Sequence, residues 1–263
     1  MNSETTNQLL CYFQSILDDY ASSCGVEPFD GQIIIAEDMA KTYLSVRCCD
    51  ASDCDVNLSD IQKYHGLTVQ PISNDGLFTI ILNKDYIVDC INKNNIDWVG
   101  TLVHEATHVN DFKDYFKLVS PKSYDELYKY SLHRVFLHWT EFHARAIGHY
   151  FLRKYSLDDF KSTVHIDHIV NTEMPFHIRN LVEKLNSTND ADSQLYVVTH
   201  FLGRLAVWQY LYPHIFDSTF IKKLTNNNPW MEELYYFLIK YNTLEEIQPH
   251  FQEFEAILDK HFV

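Results

Sequence analysis

The chain has 263 residues, of which 46% are hydrophobic, and its formal net charge at pH 7 is −15. This composition is typical of a globular protein with one large domain or two small ones, and it excludes a largely disordered chain. An acidic surface repels phosphate backbones and anionic lipids, so neither nucleic acid nor a membrane is expected as the main partner.

The first twenty residues predict an amphipathic helix and not a signal peptide, because they lack a basic start, a continuous apolar run and a small-residue cleavage site. No stretch of about 18 uninterrupted apolar residues occurs in the sequence, so no transmembrane span is predicted. We therefore expect a cytoplasmic protein with reduced thiols. The cluster of Cys48, Cys49 and Cys54 lacks the paired spacing of a metal site.

Four short segments between residues 32 and 82 are rich in apolar and β-branched residues, which is typical of strands. They are QIIIA (32–36), TYLSVR (42–47), LTVQPI (67–72) and LFTIIL (77–82). From about residue 97 onward, apolar residues recur with the period of helices. The sequence therefore predicts an α+β fold that is predominantly α, with a small N-terminal β-sheet and a helical C-terminal body.

The first helix of that body contains TLVHEATHVND (101–111), in which two histidines have the spacing H-E-x-x-H. Asp97 can cap this helix. On a helix, His104 and His108 lie one turn apart on the same face, so both imidazoles can bind one metal ion. In a chain with 14 histidines, the alternative is a helix pair without metal.

A catalytic zinc site usually has three protein ligands, so a third ligand is expected downstream. The extended motif with a third histidine would need Gly and His at positions 111 and 114, where this chain has Asp111 and Asp114. A glutamate on the next helix is the other common arrangement. The capping box SYDE at Ser123 predicts that this helix spans roughly residues 124–155.

Glu141 is the preferred third ligand, because it lies between the apolar Trp139 and Phe142 in the middle of that helix. Metal ligation would explain a carboxylate at such a position. Two alternatives are an exposed ion pair between Glu141 and Arg145, and ligation by Glu126, which is better explained as the capping residue.

These residues resemble the zincin metallopeptidases of the glutamate-ligand type, the gluzincins, and within them the lethal-factor-like and ImmA/IrrE-like peptidases. The resemblance is carried by His104, Glu105, His108 and Glu141, by their two helices and by the β-rich segment before the motif. It implies one Zn²⁺ per chain, bound by the two histidines and Glu141, and Glu105 as the general base. The LFTIIL segment would be an edge strand that binds an extended peptide.

The resemblance also implies a zincin-like domain over residues 1–171 and a helical subdomain over 172–263, unless the whole chain is one continuous domain. The helical subdomain could bind a protein partner. The expected activity is hydrolysis of peptide bonds in a peptide or protein substrate. The alternative is a zincin-fold regulatory or protein-binding module with little or no peptidase activity.

The group that stabilises the oxyanion has no clear counterpart in this sequence. Where lethal-factor-like enzymes have a tyrosine, this chain has Arg134, and where the thermolysin pattern has an aspartate it has Arg145. The candidates for the supporting roles are Asp111, which would orient a ligand histidine, and Tyr130, Arg134 and His138, which would act as donors. His200, on a later helix, is a further candidate without support from spacing.

Overall fold

The computed structural model describes residues 3–53, 56–156, 165–225 and 228–261. It is mostly helical and contains a small three-stranded sheet, which confirms the α+β class with a predominance of α. The chain forms two compact units, residues 1–129 and residues 130–263. None of the described helices is both long enough and apolar enough to cross a membrane.

The first unit contains the sheet and the H-E-x-x-H helix. Its helices are α1 (Ser3–Cys24), α2 (Met39–Arg47), α3 (Leu58–Ile61), α4 (Lys84–Asn92) and α5 (Asp97–Val119), and its strands are β1 (Gln32–Ala36), β2 (Gly66–Val69) and β3 (Thr79–Asn83).

The strands are arranged in the order β1-β3-β2. β1 pairs with β3 in parallel, in the register Ile34 to Ile81, and β2 pairs with β3 in the antiparallel direction, in the register Thr68 to Ile80. The prediction that LFTIIL is an edge strand is therefore wrong, because β3 is central and both of its edges are paired. Its residues Thr79–Leu82 are all buried, as expected for a central strand.

The strand predicted at 42–47 is also wrong, because this segment lies in helix α2. The Asp38 side chain caps that helix by accepting a hydrogen bond from the backbone N–H of Lys41. An N-cap of this kind stabilises a helix by about 1 kcal/mol. Helix α2 packs on the sheet through Met39, in a cluster with Ile61, Val69 and Ile81.

Helix α5 packs on α1 and on strands β2 and β3. The apolar side chains of this helix form a buried stripe, each at most 4% exposed: Trp98, Val99, Leu102, Val103, Ala106 and Val109. The predicted cap is wrong, because Asp97 is the first helical residue and Ile96 occupies the N-cap without a side-chain bond. Instead, the Asn95 side chain accepts a hydrogen bond from the Asp97 N–H.

The described residues of the second unit form helices and connecting segments and contain no strand. Its helices are α6 (His133–Ser156), α7 (Ile166–His168), α8 (Met174–Ser187), α9 (Ala191–Leu211), α10 (Ser218–Leu224), α11 (Pro229–Leu238), α12 (Leu244–Ile247) and α13 (Phe251–His261), and a π-helical turn, Ile169–Glu173, precedes α8.

The long predicted helix starts later than residue 124. Residues Tyr124–Lys129 form a short 3₁₀ segment, and the continuous helix α6 begins only at His133. The boundary between the two compact units falls between residues 129 and 130. The physical reason is the extensive packing of α6 against α9, which places α6 with the C-terminal helices. The predicted domain division at 171/172 stays a prediction.

Candidate metal centre and its supporting residues

The two motif histidines lie together on helix α5, as the spacing predicts. Their Nε2 atoms are 3.1 Å apart, and the rings meet edge to face. His104 is 5% exposed and His108 is 6% exposed. Two nitrogen ligands at about 2.0–2.1 Å from a tetrahedral zinc ion would be roughly 3.4 Å apart, so this pair fits one ion after a small adjustment.

Glu105 lies beside these histidines and is held by strand β2. Its Oε2 atom is 2.9 Å from Oγ1 of Thr68, which is also 2.8 Å from the Glu105 backbone oxygen. Gly66 lies two residues before Thr68, on the same face of the strand. A Cβ atom at Gly66 would be 2.9 Å from Cγ of Glu105, so the strand approaches the glutamate closely because Gly66 has no side chain.

Asp111 lies two turns after His104 on the same helix and is only 5% exposed. Its carboxylate is close enough to Tyr20 of α1 to add to the effect of burial, and together they raise the pKa of that phenol. The Tyr20 hydroxyl also accepts a hydrogen bond from Nδ2 of Asn110. The role predicted for Asp111, orientation of a ligand histidine, stays a prediction.

Glu141 of helix α6 is part of a hydrogen-bonded chain within the second unit. Its Oε2 atom lies 2.6 Å from Nε2 of His200 on α9, and Nδ1 of the same ring lies 3.1 Å from Nη2 of Arg145. A guanidinium group only donates, so Nδ1 must accept and Nε2 must carry the hydrogen that is donated to Glu141. Arg145 therefore bonds to the same imidazole ring that donates to Glu141. The alternative considered from the sequence was a direct Glu141–Arg145 ion pair, whereas in the structure His200 connects the two side chains.

The neutral form of His200 is consistent with its surroundings. Burial lowers the pKa of this imidazole to about 3, and the nearby charge of Arg145 acts in the same direction. No spacing rule in the sequence predicts the contact between His200 and Glu141, because His200 lies 59 residues later and on a different helix. The only signal in the sequence was a histidine in the middle of a mainly apolar helix.

The other residues predicted to support catalysis have structural partners. Nε of Arg134 donates to Asp192 at 2.7 Å, and Nε2 of His138 lies 3.2 Å from the same carboxylate oxygen. Asp192 lies in the first turn of α9, so both contacts tie α6 to that helix. The Tyr130 backbone oxygen accepts a hydrogen bond from the His133 N–H just before α6. Roles for these three residues in oxyanion stabilisation stay predictions.

The cysteine cluster contributes no ligand group in the described part of the chain. Cys48 and Cys49 follow directly after helix α2 and form no disulfide, and Cys48 has a left-handed backbone with φ of 50°. Neither belongs to a group of candidate metal ligands among the described residues. Cys54 lies outside the described residues.

Comparison of the chain with protein-family models, with characterised proteins and with solved structures finds no match.

Proposed function

We propose that this chain is a zinc-dependent peptidase of the zincin class. The observation that carries the proposal is the convergence of the His104 and His108 Nε2 atoms at 3.1 Å, with Glu105 adjacent and buried. Neutral imidazole nitrogens are common zinc ligands. A helix pair without metal would have no need for a buried carboxylate at the position between two such histidines.

The third ligand in this proposal is Glu141, as its distance from His108 along the sequence suggests. The second unit contains two side chains of ligand type that contact each other, Glu141 and His200. We assign ligation to Glu141, because the contact with Arg145 leaves a hydrogen on Nε2 of His200. His200 then orients the carboxylate, as the partners of metal ligands commonly do.

A bound zinc ion would supply Lewis acidity to a water molecule and to the carbonyl group of the substrate. Glu105 accepts the proton of the attacking water and transfers it to the leaving amine. The hydroxyl of Thr68 holds the carboxylate of Glu105 while this occurs. The low exposure of Glu105, 7%, limits competing bulk water around the base.

An extended peptide is the substrate form that the sheet supports. Strand β2 is an edge strand next to α5, and its outer edge pairs with no other strand in the described residues. An unpaired edge offers backbone N–H and C=O groups to a peptide. The docking strand in the proposal is therefore β2, in place of the central β3.

The test combines metal analysis with digestion of a peptide library by the purified full chain. We expect about one zinc per chain and cleavage by the wild type. Glu105→Gln should keep the zinc and lose cleavage, whereas His104→Ala should lose the zinc. His214→Ala, at an exposed histidine, is the control and should behave as wild type. Zinc-loaded wild type that cleaves nothing, or Glu105→Gln at the wild-type rate, would refute the proposed activity.

A further inference from the structure

Where strand β2 packs on helix α5, the hydroxyl group of Thr68 contacts Glu105. Oγ1 of Thr68 is within hydrogen-bonding distance of two acceptors of Glu105, the backbone oxygen at 2.8 Å and Oε2 at 2.9 Å. A backbone oxygen inside an α-helix already accepts a bond from the N–H four residues later. The Thr68 hydroxyl therefore donates its hydrogen to the carboxylate in preference to the backbone oxygen, because the negative charge of the carboxylate strengthens that hydrogen bond.

The hydrogen bonds of the β2–β3 ladder define where the backbone of Thr68 points. The Asn83 N–H donates to the His65 oxygen, so residues 65 and 83 form a hydrogen-bonded pair. Hydrogen-bonded pairs alternate along an antiparallel ladder, so residues 67 and 69 also face β3. The backbone N–H and C=O groups of Gly66 and Thr68 consequently point to the outer edge of β2, which no strand among the described residues pairs.

We propose that Thr68 is a positioning residue that links substrate binding to the general base, an inference that rests on the proposed peptidase function. Its backbone faces the edge where an extended peptide would pair, and its side chain holds the carboxylate of Glu105. A glutamate side chain has three rotatable bonds, and fixing it in one rotamer before the reaction removes an entropic cost from the chemical step. Thr68 thereby sets the distance between the peptide backbone and the base.

Gly66 supports the same arrangement by allowing the close approach. A Cβ atom there would lie 2.7 Å from Cγ2 of Thr101 and 3.0 Å from Oε1 of Glu105. Such contacts are too short for any side chain, so another residue would push β2 away from α5 or displace the carboxylate. The position therefore requires glycine for packing, although its backbone is not in the left-handed region.

The experiment compares Thr68→Val, which keeps the shape and removes the donor, with Thr68→Ser, which keeps the donor. On the best peptide from the library, Thr68→Val should lower kcat by about 10–100-fold. KM should change by about twofold or less, because the backbone edge is intact. Thr68→Ser should restore kcat to near the wild-type value, and the zinc content should be equal in all variants. Thr101→Val is the control, since its hydroxyl contacts Tyr86 and not Glu105.

Crystal structures of zinc-loaded wild type and Thr68→Val provide a second readout that does not depend on activity. We expect one conformer of the Glu105 carboxylate in the wild type, and a displaced or divided carboxylate in the variant. An unchanged kcat or an unchanged Glu105 conformer in Thr68→Val would overturn the role of Thr68. If the wild type cleaves no peptide, the proposed peptidase function fails, and the crystallographic comparison alone decides whether Thr68 positions Glu105.

Discussion

Nε2 of His200 donates a hydrogen bond to Oε2 of Glu141 across the crossing of helices α9 and α6, at a distance of 2.6 Å. The His200 side chain is 14% exposed and the Glu141 side chain is 22% exposed, so water competes little for this contact. Arg145 fixes the ring from the other side. In the proposed zinc site, these contacts would hold the Glu141 carboxylate in place for the cation, as the partners of metal ligands commonly do.

The first prediction is that His200→Leu weakens zinc binding by about 10–100-fold without abolishing it. His200→Gln should lose less zinc affinity than His200→Leu, because the glutamine amide can still donate a hydrogen bond to Glu141. Competition with a chromophoric chelator measures both constants, with His214→Ala as the exposed-histidine control. Wild-type affinity in His200→Leu would show that the contact is irrelevant to the metal. A complete loss of zinc, as expected for His104→Ala, would show that His200 is itself a ligand.

Local patterns in the sequence predicted the parts of the site that depend on one helix. The i, i+4 spacing of His104 and His108 was sufficient to place both rings on one face, and the apolar stripe of α5 followed from the same period. The β-branched runs at 32–36 and 77–82 also predicted strands. In each case the determining interactions lie within a few residues of one another along the chain.

Features that depend on contacts between residues far apart in the sequence could not be predicted from local patterns. The order of the strands is determined by which segments pair, so nothing local shows that β3 is central and β2 is at the edge. The contacts of His200 with Glu141 and of Thr68 with Glu105 join residues 59 and 37 positions apart. Segment 42–47 alternates like a strand, but it lies in helix α2, which the Asp38 side chain caps.

A second prediction concerns removal of the metal. An ion that binds only the folded chain stabilises it by about 2.7 kcal/mol at a hundredfold excess over Kd. Treatment with a chelator should therefore lower Tm by several degrees, and added zinc should restore it. His104→Ala and His108→Ala should show no shift with either treatment. Thermal scans of the wild type that do not respond to zinc would argue against a metal bound in the folded state.

A third prediction concerns acid sensitivity, which arises from two histidines packed around Trp208 in the second unit. Burial lowers the pKa of His177 to about 3 and that of His149 well below its usual value, and nearby arginines, including Arg204, add to the effect. Both imidazoles bind a proton more readily when the chain is unfolded. The free energy of unfolding should therefore fall as the pH decreases below about 6.5, by about 1 kcal/mol per histidine at pH 5.5.

Urea unfolding between pH 7.5 and 5.5 measures this dependence. His177→Gln should make the curve of unfolding free energy against pH flatter, because glutamine does not titrate. At low pH the two histidines lower the free energy of unfolding because they take up protons only when the chain unfolds. This loss of stability should be reversed when the pH is raised again. A His177→Gln variant with the wild-type slope would show that this residue does not contribute.

The last prediction concerns Gly203, where α9 crosses α6. A Cβ atom at this position would lie 2.7 Å from the backbone oxygen of Phe142 and 2.9 Å from Cβ of Arg145. Backbone atoms cannot rotate away, so Gly203→Ala should force the helices apart and lower the free energy of unfolding by about 1–3 kcal/mol. Helix propensity alone would give the opposite sign, a gain of about 1 kcal/mol. Chemical denaturation therefore separates the two effects by the direction of the change. Glu141 and His200 lie at the same crossing, so Gly203→Ala should also bind zinc more weakly. A variant that is more stable and has unchanged zinc affinity would contradict the close approach of these two helices.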